Sequence, residues 1–297
     1  MKRTSIFLVL TMVCSVAIGA TKICDDTRSN ILDVDSNGAL AIGTQPTVAQ
    51  VPWKVAVAAG DVSGWSAVNK FGNNSTADTG DTVWGGDGVY AFFPTNAQSV
   101  SAVSTDADDT SGGTGARTVI FYGLDSNWDE INETVTLNGA TPVALTNTYI
   151  RMFRGVVLTA GSSDNNEGNI SVTNGAGTVA IYINALDGQT QHAVYTVPND
   201  KTAMFLKGYV GVSDGGSAVS RESVRFQWQA KPNNGVNGAW ATKGEIECVN
   251  DGSGWWQYEY AVPVGMLPEK TDIRIIVKTA SDQLGVVGGF DLLLKDD

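Results

Sequence analysis

The chain contains about fourteen short runs of strand-forming residues, separated by Gly-, Asn-, Asp-, Ser- and Thr-rich segments, at spacings of roughly 8 to 15 residues. Short strands need frequent turns, and turns use glycine, asparagine and aspartate because these residues adopt backbone conformations that others avoid. Beyond the N-terminal apolar run, no window shows the sustained period of about 3.6 residues that an amphipathic helix requires. The pattern therefore predicts an all-β fold: an antiparallel β-sandwich with jelly-roll-like order, as one large or two small sandwiches.

The distribution of these runs divides the chain into four segments. They are a signal-like apolar segment (1–20), an extended N-terminal arm (21–50), an N-terminal β region with long loops (51–115) and a main β-sandwich domain (116–297). Within the third segment, apolar runs predict strands at residues 51–59 and 89–94. The polar stretch 72–88 between them predicts a long surface loop.

The N-terminus has the three parts of a secretory signal. Lys2 and Arg3 form a basic start, residues 6–20 are mostly apolar, and Ala17 and Ala20 are small residues suited to peptidase cleavage. We expect a cleaved signal. The alternative is an apolar arm that packs in an assembly.

Charge argues against one class of partner. The formal net charge is −12 and the pI is about 4.5, so the surface does not attract the phosphates of nucleic acids. Charged residues make up 17% of the chain, below the roughly 25% usual for soluble domains. Sparse charge with abundant aromatics predicts apolar surface that is hidden between subunits, and we expect a homo-oligomer, most readily a trimer.

Residue types that commonly carry catalysis are scarce. His192 is the single histidine, and no G-x-S-x-G nucleophile motif accompanies it. Cys24 and Cys248 are too far apart in sequence for a CxxC metal or redox site, although they could pair in an exported protein. Glu245 and Glu247 project from one strand face as a glycosidase pair would, but a chain with 31 acidic residues brings such pairs together by chance. We expect no enzymatic activity, no catalytic residues and no cofactor.

One stretch matches the first half of a calcium loop. Asp33, Asp35 and Asn37 alternate ahead of Gly38, as oxygen ligands do before the glycine of such a loop. The closing position is Thr44, which cannot supply a bidentate carboxylate. Asn37-Gly38 is also a hairpin-turn signal, and this interpretation is preferred to a metal site. Residues 106–109 form a second acidic stretch, which is interpreted as a solvated loop.

The densest aromatic cluster is Trp255, Trp256, Tyr258 and Tyr260. Strand alternation places Trp256, Tyr258 and Tyr260 on one face and Trp255 on the other. One face is therefore expected in the core. Trp255 is expected in a subunit contact or, alternatively, in a sugar-stacking site.

Several short motifs of strands and turns occur along the chain, at residues 68–73, 83–90, 123–125, 133–139, 225–228, 231–235 and 255–258. They resemble motifs of a group of tailed-phage virion proteins from marine and environmental phages. The similarity extends over about residues 50–297. The resemblance implies a capsid-associated, head-fibre or tail-associated structural protein, and it assigns no chemical role to any residue.

These observations predict a virion structural protein, of the capsid-decoration or fibre type, that acts through shape and subunit contacts. Its partners would be copies of itself, capsid or tail proteins, and a glycan of the host surface. The alternative is an exported glycan-binding β-sandwich module, secreted or periplasmic, for which the N-terminal segment serves as the signal.

Overall fold

The computed structural model describes residues 23–25, 28–34, 40–41, 52–213, 222–233, 238–250, 254–280 and 284–297. The chain divides into two compact units, Met1–Ala56 and Val57–Asp297. The signal-like segment 1–20 lies outside the described residues. No helix among the described residues is long and apolar enough to cross a membrane.

The first unit contains a small antiparallel sheet of three strands: β1 (Ile23–Asp25), β2 (Arg28–Val34) and β3 (Leu40–Ala41). Asp33 lies on β2 opposite Ala41, and Val34 lies opposite Leu40. The other two calcium candidates, Asp35 and Asn37, lie outside the described residues. The calcium site therefore stays an untested prediction.

A short helix, α1 (Trp53–Ala58), replaces the strand predicted over residues 51–59. That prediction was wrong because Pro52 lies inside the predicted run, directly before the helix. The fixed φ of proline suits the first turn of a helix. The Pro52 carbonyl accepts hydrogen bonds from the Val55 and Ala56 amides, at 2.7 and 3.1 Å.

The described residues of the second unit form fifteen strands. In chain order they are β4 (Trp65–Ala77), β5 (Gln98–Ser104), β6 (Ala116–Leu124), β7 (Glu130–Thr136), β8 (Val143–Tyr149), β9 (Arg151–Ala160), β10 (Ile170–Asn174), β11 (Val179–Ile183), β12 (Val194–Thr196), β13 (Lys201–Ser213), β14 (Glu222–Pro232), β15 (Ala241–Asn250), β16 (Gly254–Leu267), β17 (Thr271–Thr279) and β18 (Leu284–Asp296).

These strands form four antiparallel sheets around two hydrophobic cores. In the C-terminal sandwich, sheet β16-β13-β18-β4 and sheet β12-β17-β14-β15 enclose a core that includes Phe226, Trp228 and Phe290. In the central sandwich, sheet β11-β10-β5-β8 and sheet β7-β6-β9 enclose a core that includes Phe121 and Ile181. The predicted all-β sandwich fold is confirmed. The domain boundary predicted near residue 115 stays a prediction. Strands from the two sides of this position pair with each other, β4 with β18 and β5 with β10.

Two predictions between residues 72 and 94 were wrong. β4 continues to Ala77 inside the predicted loop, with Asn74 opposite Val286 on β18. The strand accommodates this polar residue because the buried Asn74 amide donates to the Thr82 carbonyl at 3.3 Å. Residues 89–94 form no strand. The Tyr90 amide donates to the Thr82 hydroxyl at 3.1 Å rather than to a strand partner, and Pro94 has no amide hydrogen.

A buried ion pair joins the two sandwiches. Arg151 at the start of β9 donates two hydrogen bonds to Asp272 on β17, Nε to Oδ1 at 2.7 Å and an Nη to Oδ2 at 2.9 Å. Both side chains are almost completely buried. Asp272 also accepts hydrogen bonds from Thr196 at 2.7 Å and from Asn233 at 2.6 Å. Each charge is therefore paired and hydrogen-bonded where water does not reach it.

We predict that Asp272→Asn lowers the free energy of unfolding by about 3 to 5 kcal/mol, because it leaves the Arg151 charge buried without a counter-ion. Urea denaturation of both proteins measures the difference. The control is Lys201→Ala, which breaks the exposed Lys201–Asp296 pair (2.8 Å) and should cost less than about 1 kcal/mol. Equal costs for the two substitutions would contradict a structural role for the buried pair.

Candidate functional site

The predicted aromatic cluster lies on β16, an edge strand of its sheet. Trp255 is 57% exposed and Tyr258 is 54% exposed. Trp256 and Tyr260 are partly buried and pack against the core of the C-terminal sandwich. The structure therefore divides the cluster into two core residues and two residues at the surface. Whether Trp255 and Tyr258 contact a partner stays a prediction.

Trp255 lies flat on the sheet beside Tyr209 of β13. The two ring centroids are 5.1 Å apart and the ring planes differ by 30°. The Tyr209 ring crosses Gly289 of β18, where a Cβ atom would lie 2.3 Å from the tyrosine Cζ. A Cβ at Gly211 would lie 3.1 Å from Trp255 Cε3. The two glycines thus provide the space in which both rings rest on the backbone.

Two further apolar side chains share this surface. Phe71 of β4 pairs with Gly289 and is 37% exposed, while Val287 of β18 pairs with Gly211 and is 43% exposed. We call the surface formed by Phe71, Tyr209, Trp255 and Val287 the outer face. It extends across all four strands of the sheet.

Polar groups border the outer face on one side. Asn69 donates to Asp291 at 2.6 Å and to the Tyr209 hydroxyl at 3.4 Å. The Lys207 ammonium lies 5.6 Å from the centre of the Tyr209 ring. Partial burial raises the pKa of Tyr209, with the Asn69 hydrogen bond opposing this effect. The hydroxyl therefore remains protonated at neutral pH.

The opposite side of β16 borders a cleft of about 360 Å³. Its lining includes Tyr258 and Tyr260, whose rings meet edge to face with centroids 4.8 Å apart. Trp228 of β14 and Glu245 of β15 contribute from the facing sheet. Burial and the neighbouring Tyr258 raise the pKa of Tyr260.

The two glutamates considered as a hydrolase pair share one arginine. Arg225 lies 3.4 Å from Glu245 and 3.3 Å from Glu247, and Gln227 donates to Glu245 at 2.5 Å. These are contacts between facing residues of β14 and β15. The arrangement is a cross-strand ion-pair cluster, in which both carboxylates are already occupied by protein partners.

His192 is buried in a cage of aromatic rings. Its ring centroid lies 5.3 Å from that of Trp84 and 5.7 Å from that of Tyr90, and its Nε2 accepts a hydrogen bond from the Tyr182 amide at 3.3 Å. Burial, and secondarily the charge of Lys70, lowers the pKa of His192 to about 3. The imidazole is therefore neutral at physiological pH and lies away from solvent.

The acidic loop has a structural centre and an exposed edge. The buried Asp109 carboxylate accepts hydrogen bonds from the Ser104 hydroxyl and from the backbone amides of Ala116, Glu167 and Gly168, at 2.5 to 2.9 Å. The carboxylate oxygens of Asp106, Asp108 and Glu167 lie within 4.8 Å of one another. Glu167 reaches this loop because β10 pairs with β5, a long-range contact that sequence spacing does not reveal.

Sequence reasoning missed three members of the outer face: Phe71, Tyr209 and Val287. Each lies in a strand whose apolar residues could equally be predicted to face the core. Only the pairing register of the strands brings them beside Trp255. A local signal that could have found them is the pair of glycines at positions 211 and 289, which lie opposite these residues in the sheet and leave room for the rings of Trp255 and Tyr209. Such glycines inside strand runs indicate close approach by another group.

We predict that His192 makes the fold less stable in mild acid. Its folded-state pKa lies below the unfolded value of 6.5, so the unfolded chain binds the proton first and stability falls as pH drops from about 6.5 towards 3. Between pH 6.5 and 4.5 the expected loss is about 2 kcal/mol. His192→Gln should remove this part of the pH dependence in urea denaturation. An identical pH dependence in the variant would show that the imidazole titrates normally.

Comparisons with known proteins identify no family. No protein-family model matches the chain, and no curated protein matches it in sequence. Among solved structures, the chain is similar to one described as "Structure of infectious bursal disease virus Gt strain". That match covers 83% of this chain and 78% of the other, with 12% identity and a TM-score of 0.22.

Proposed function

We propose that the chain is a non-enzymatic virion structural protein, of the capsid-decoration or fibre type, that assembles as a homo-oligomer through its outer face. The observation that carries the proposal is this exposed apolar surface on a rigid sheet. The virion assignment is supported by the sequence resemblance of residues 50–297 to tailed-phage virion proteins. Its proposed location is the virion, in contact with capsid or tail proteins.

The outer face has the composition of a protein contact. Trp and Tyr are enriched at the centres of interfaces, whereas charged residues are depleted there. Trp255, Tyr209, Phe71 and Val287 occupy neighbouring positions on four paired strands, with Asn69, Lys207 and Asp291 at the border. An apolar centre with a polar rim is the arrangement that excludes water when a second surface docks.

Rigidity favours a structural role for this surface. Backbone pairing holds the face across β4, β18, β13 and β16, and the flat rings of Tyr209 and Trp255 are stacked on each other. Little side-chain entropy would be lost on contact, because the rings are already ordered. The expected state is a trimer, in which the outer face of one copy meets a different surface of the next.

The second candidate is glycan binding by an exported module. The observation that favours it is the same stacked pair, since flat exposed aromatic rings beside hydrogen-bonding groups also suit a sugar ring. The two functions differ in what occupies the outer face: another protein copy or a neutral glycan.

We predict that Trp255→Glu converts the oligomer to a monomer with little change in melting temperature, because a charge is costly in an apolar contact but not on a free surface. Multi-angle light scattering at micromolar concentration measures the mass of both proteins. Leu186→Glu is the matched control: Leu186 is also exposed but lies in a turn away from the outer face, so this variant should remain oligomeric.

Two results would contradict the proposal. One is a wild-type protein that is monomeric under these conditions. The other is an oligomer that both variants leave intact. A monomer that retains neutral glycans, and loses them in Trp255→Ala at unchanged stability, would favour the exported glycan-binding module instead.

A further inference from the structure

A cleft of about 470 Å³ lies between the two sandwiches, on the side of β4. Its walls come from β4, β6, β7 and β9, and from the segment that leads into β12. Clefts of this size hold small molecules, and junctions between domains are common places for them. The lining side chains used below are Lys70, Phe71, Tyr122, Glu130, Arg154, Gln189 and Tyr195.

Two basic side chains line the cleft without a counter-ion among the described residues. Lys70 is buried, and its ammonium donates one hydrogen bond, to the Phe153 carbonyl. Arg154 makes a long hydrogen bond of 3.5 Å to the Gln189 side chain. Among the described residues, neither cation lies within 4 Å of a carboxylate. Burial and the nearby charge of Arg154 lower the pKa of Lys70 to about 7.

A third group in the cleft also lacks a partner. The Tyr195 hydroxyl is buried and makes no hydrogen bond to any residue that the structure describes. Buried polar groups are nearly always hydrogen-bonded, and leaving one unpaired costs about 1 to 3 kcal/mol. The residues that carry this ammonium, the guanidinium of Arg154 and this buried hydroxyl all line one cavity. Each can donate to an oxyanion.

The remaining wall suits a hydroxylated ring. Phe71 and Tyr122 offer aromatic surface, and Glu130 and Gln189 offer oxygen acceptors at the more exposed side. Sugars present alternating apolar faces and hydroxyl groups, which such a mixed wall can contact. An anion without hydroxyl groups would donate no hydrogen bonds to the oxygens of Glu130 and Gln189.

We propose that this cleft binds an acidic sugar, whose carboxylate or phosphate group is held by Lys70, Arg154 and the Tyr195 hydroxyl. Binding would supply the negative charge that the two cations lack. The cleft shares Phe71 with the outer face, but binding there does not require that the chain assemble. In a virion protein it would be a point of contact with charged sugars of the host surface.

Titration calorimetry of the full chain with glucuronate, glucose 6-phosphate and glucose tests the proposal. We expect at least one of the two anionic sugars to bind, and glucose to give no measurable heat. Binding of glucuronate alone assigns a carboxylate ligand, and binding of glucose 6-phosphate alone assigns a phosphate ligand. Failure of both anions to bind, or equal binding of glucose, overturns the proposal.

Variants locate the site. Arg154→Gln, at an exposed position, should fold normally and weaken anion binding about tenfold, the loss expected for one charge-assisted hydrogen bond. Lys70→Met should do the same without lowering the melting temperature, since it removes a buried basic group that has no counter-ion among the described residues. Lys278→Gln, which removes an exposed charge outside the cleft, should bind as the wild type does. Wild-type affinity in Arg154→Gln would place any anion binding elsewhere.

Discussion

The Arg151–Asp272 pair is the contact on which the arrangement of the second unit depends. Removing two charges from water is costly, and the cost is recovered only when the geometry is good and the remaining polar atoms are bonded. Here the pair is bidentate, Thr196 and Asn233 donate to the aspartate, and an arginine Nη group also donates to the carbonyls of Pro94 and Ile150, at 2.7 and 2.6 Å. These partners come from both sandwiches, so all of the hydrogen bonds form together only when the two sandwiches are placed as they are here.

Aromatic residues complete the environment of Arg151. Its guanidinium lies 4.8 Å from the ring centre of Trp128 and 5.3 Å from that of Phe93. Trp128 has a φ of 69°, in the left-handed region, which costs a residue with a side chain about 1 to 2 kcal/mol. The turn between β6 and β7 accepts this conformation and places the indole over the charge. The unfavourable backbone conformation of Trp128 is thus offset in part by the contact between its indole ring and Arg151.

Two candidate surfaces follow from this arrangement. β4 belongs to the C-terminal sandwich but borders the central one, so its residues serve both surfaces. Asn69 and Phe71 lie at the outer face and also line the cleft between the sandwiches, together with Lys70. The cleft is lined by strands of both sandwiches, so its shape depends on how the sandwiches are placed, whereas the outer face lies on a single sheet.

The sequence predicts the local elements better than the surfaces. Strands such as β5 and β6 can be predicted from alternation and turn residues. Alternation also predicts that Trp255 and Trp256 face opposite sides, and Trp255 is indeed the more exposed of the two. β4 was not predicted as a strand: its second half is rich in asparagine and serine and resembles a loop, and pairing with β18 makes it a strand. Arg151 and Asp272 are 121 residues apart in sequence, and nothing local marks them as partners.

Differential scanning calorimetry of the full chain tests most directly whether the junction makes the two sandwiches one cooperative body. We predict a single main transition, with calorimetric and van't Hoff enthalpies in agreement. The reason is that unfolding of one sandwich would leave the other with one charge of the pair and without its counter-ion. Two transitions separated by more than about 10 °C would show that the sandwiches unfold independently and would contradict this role of the Arg151–Asp272 pair.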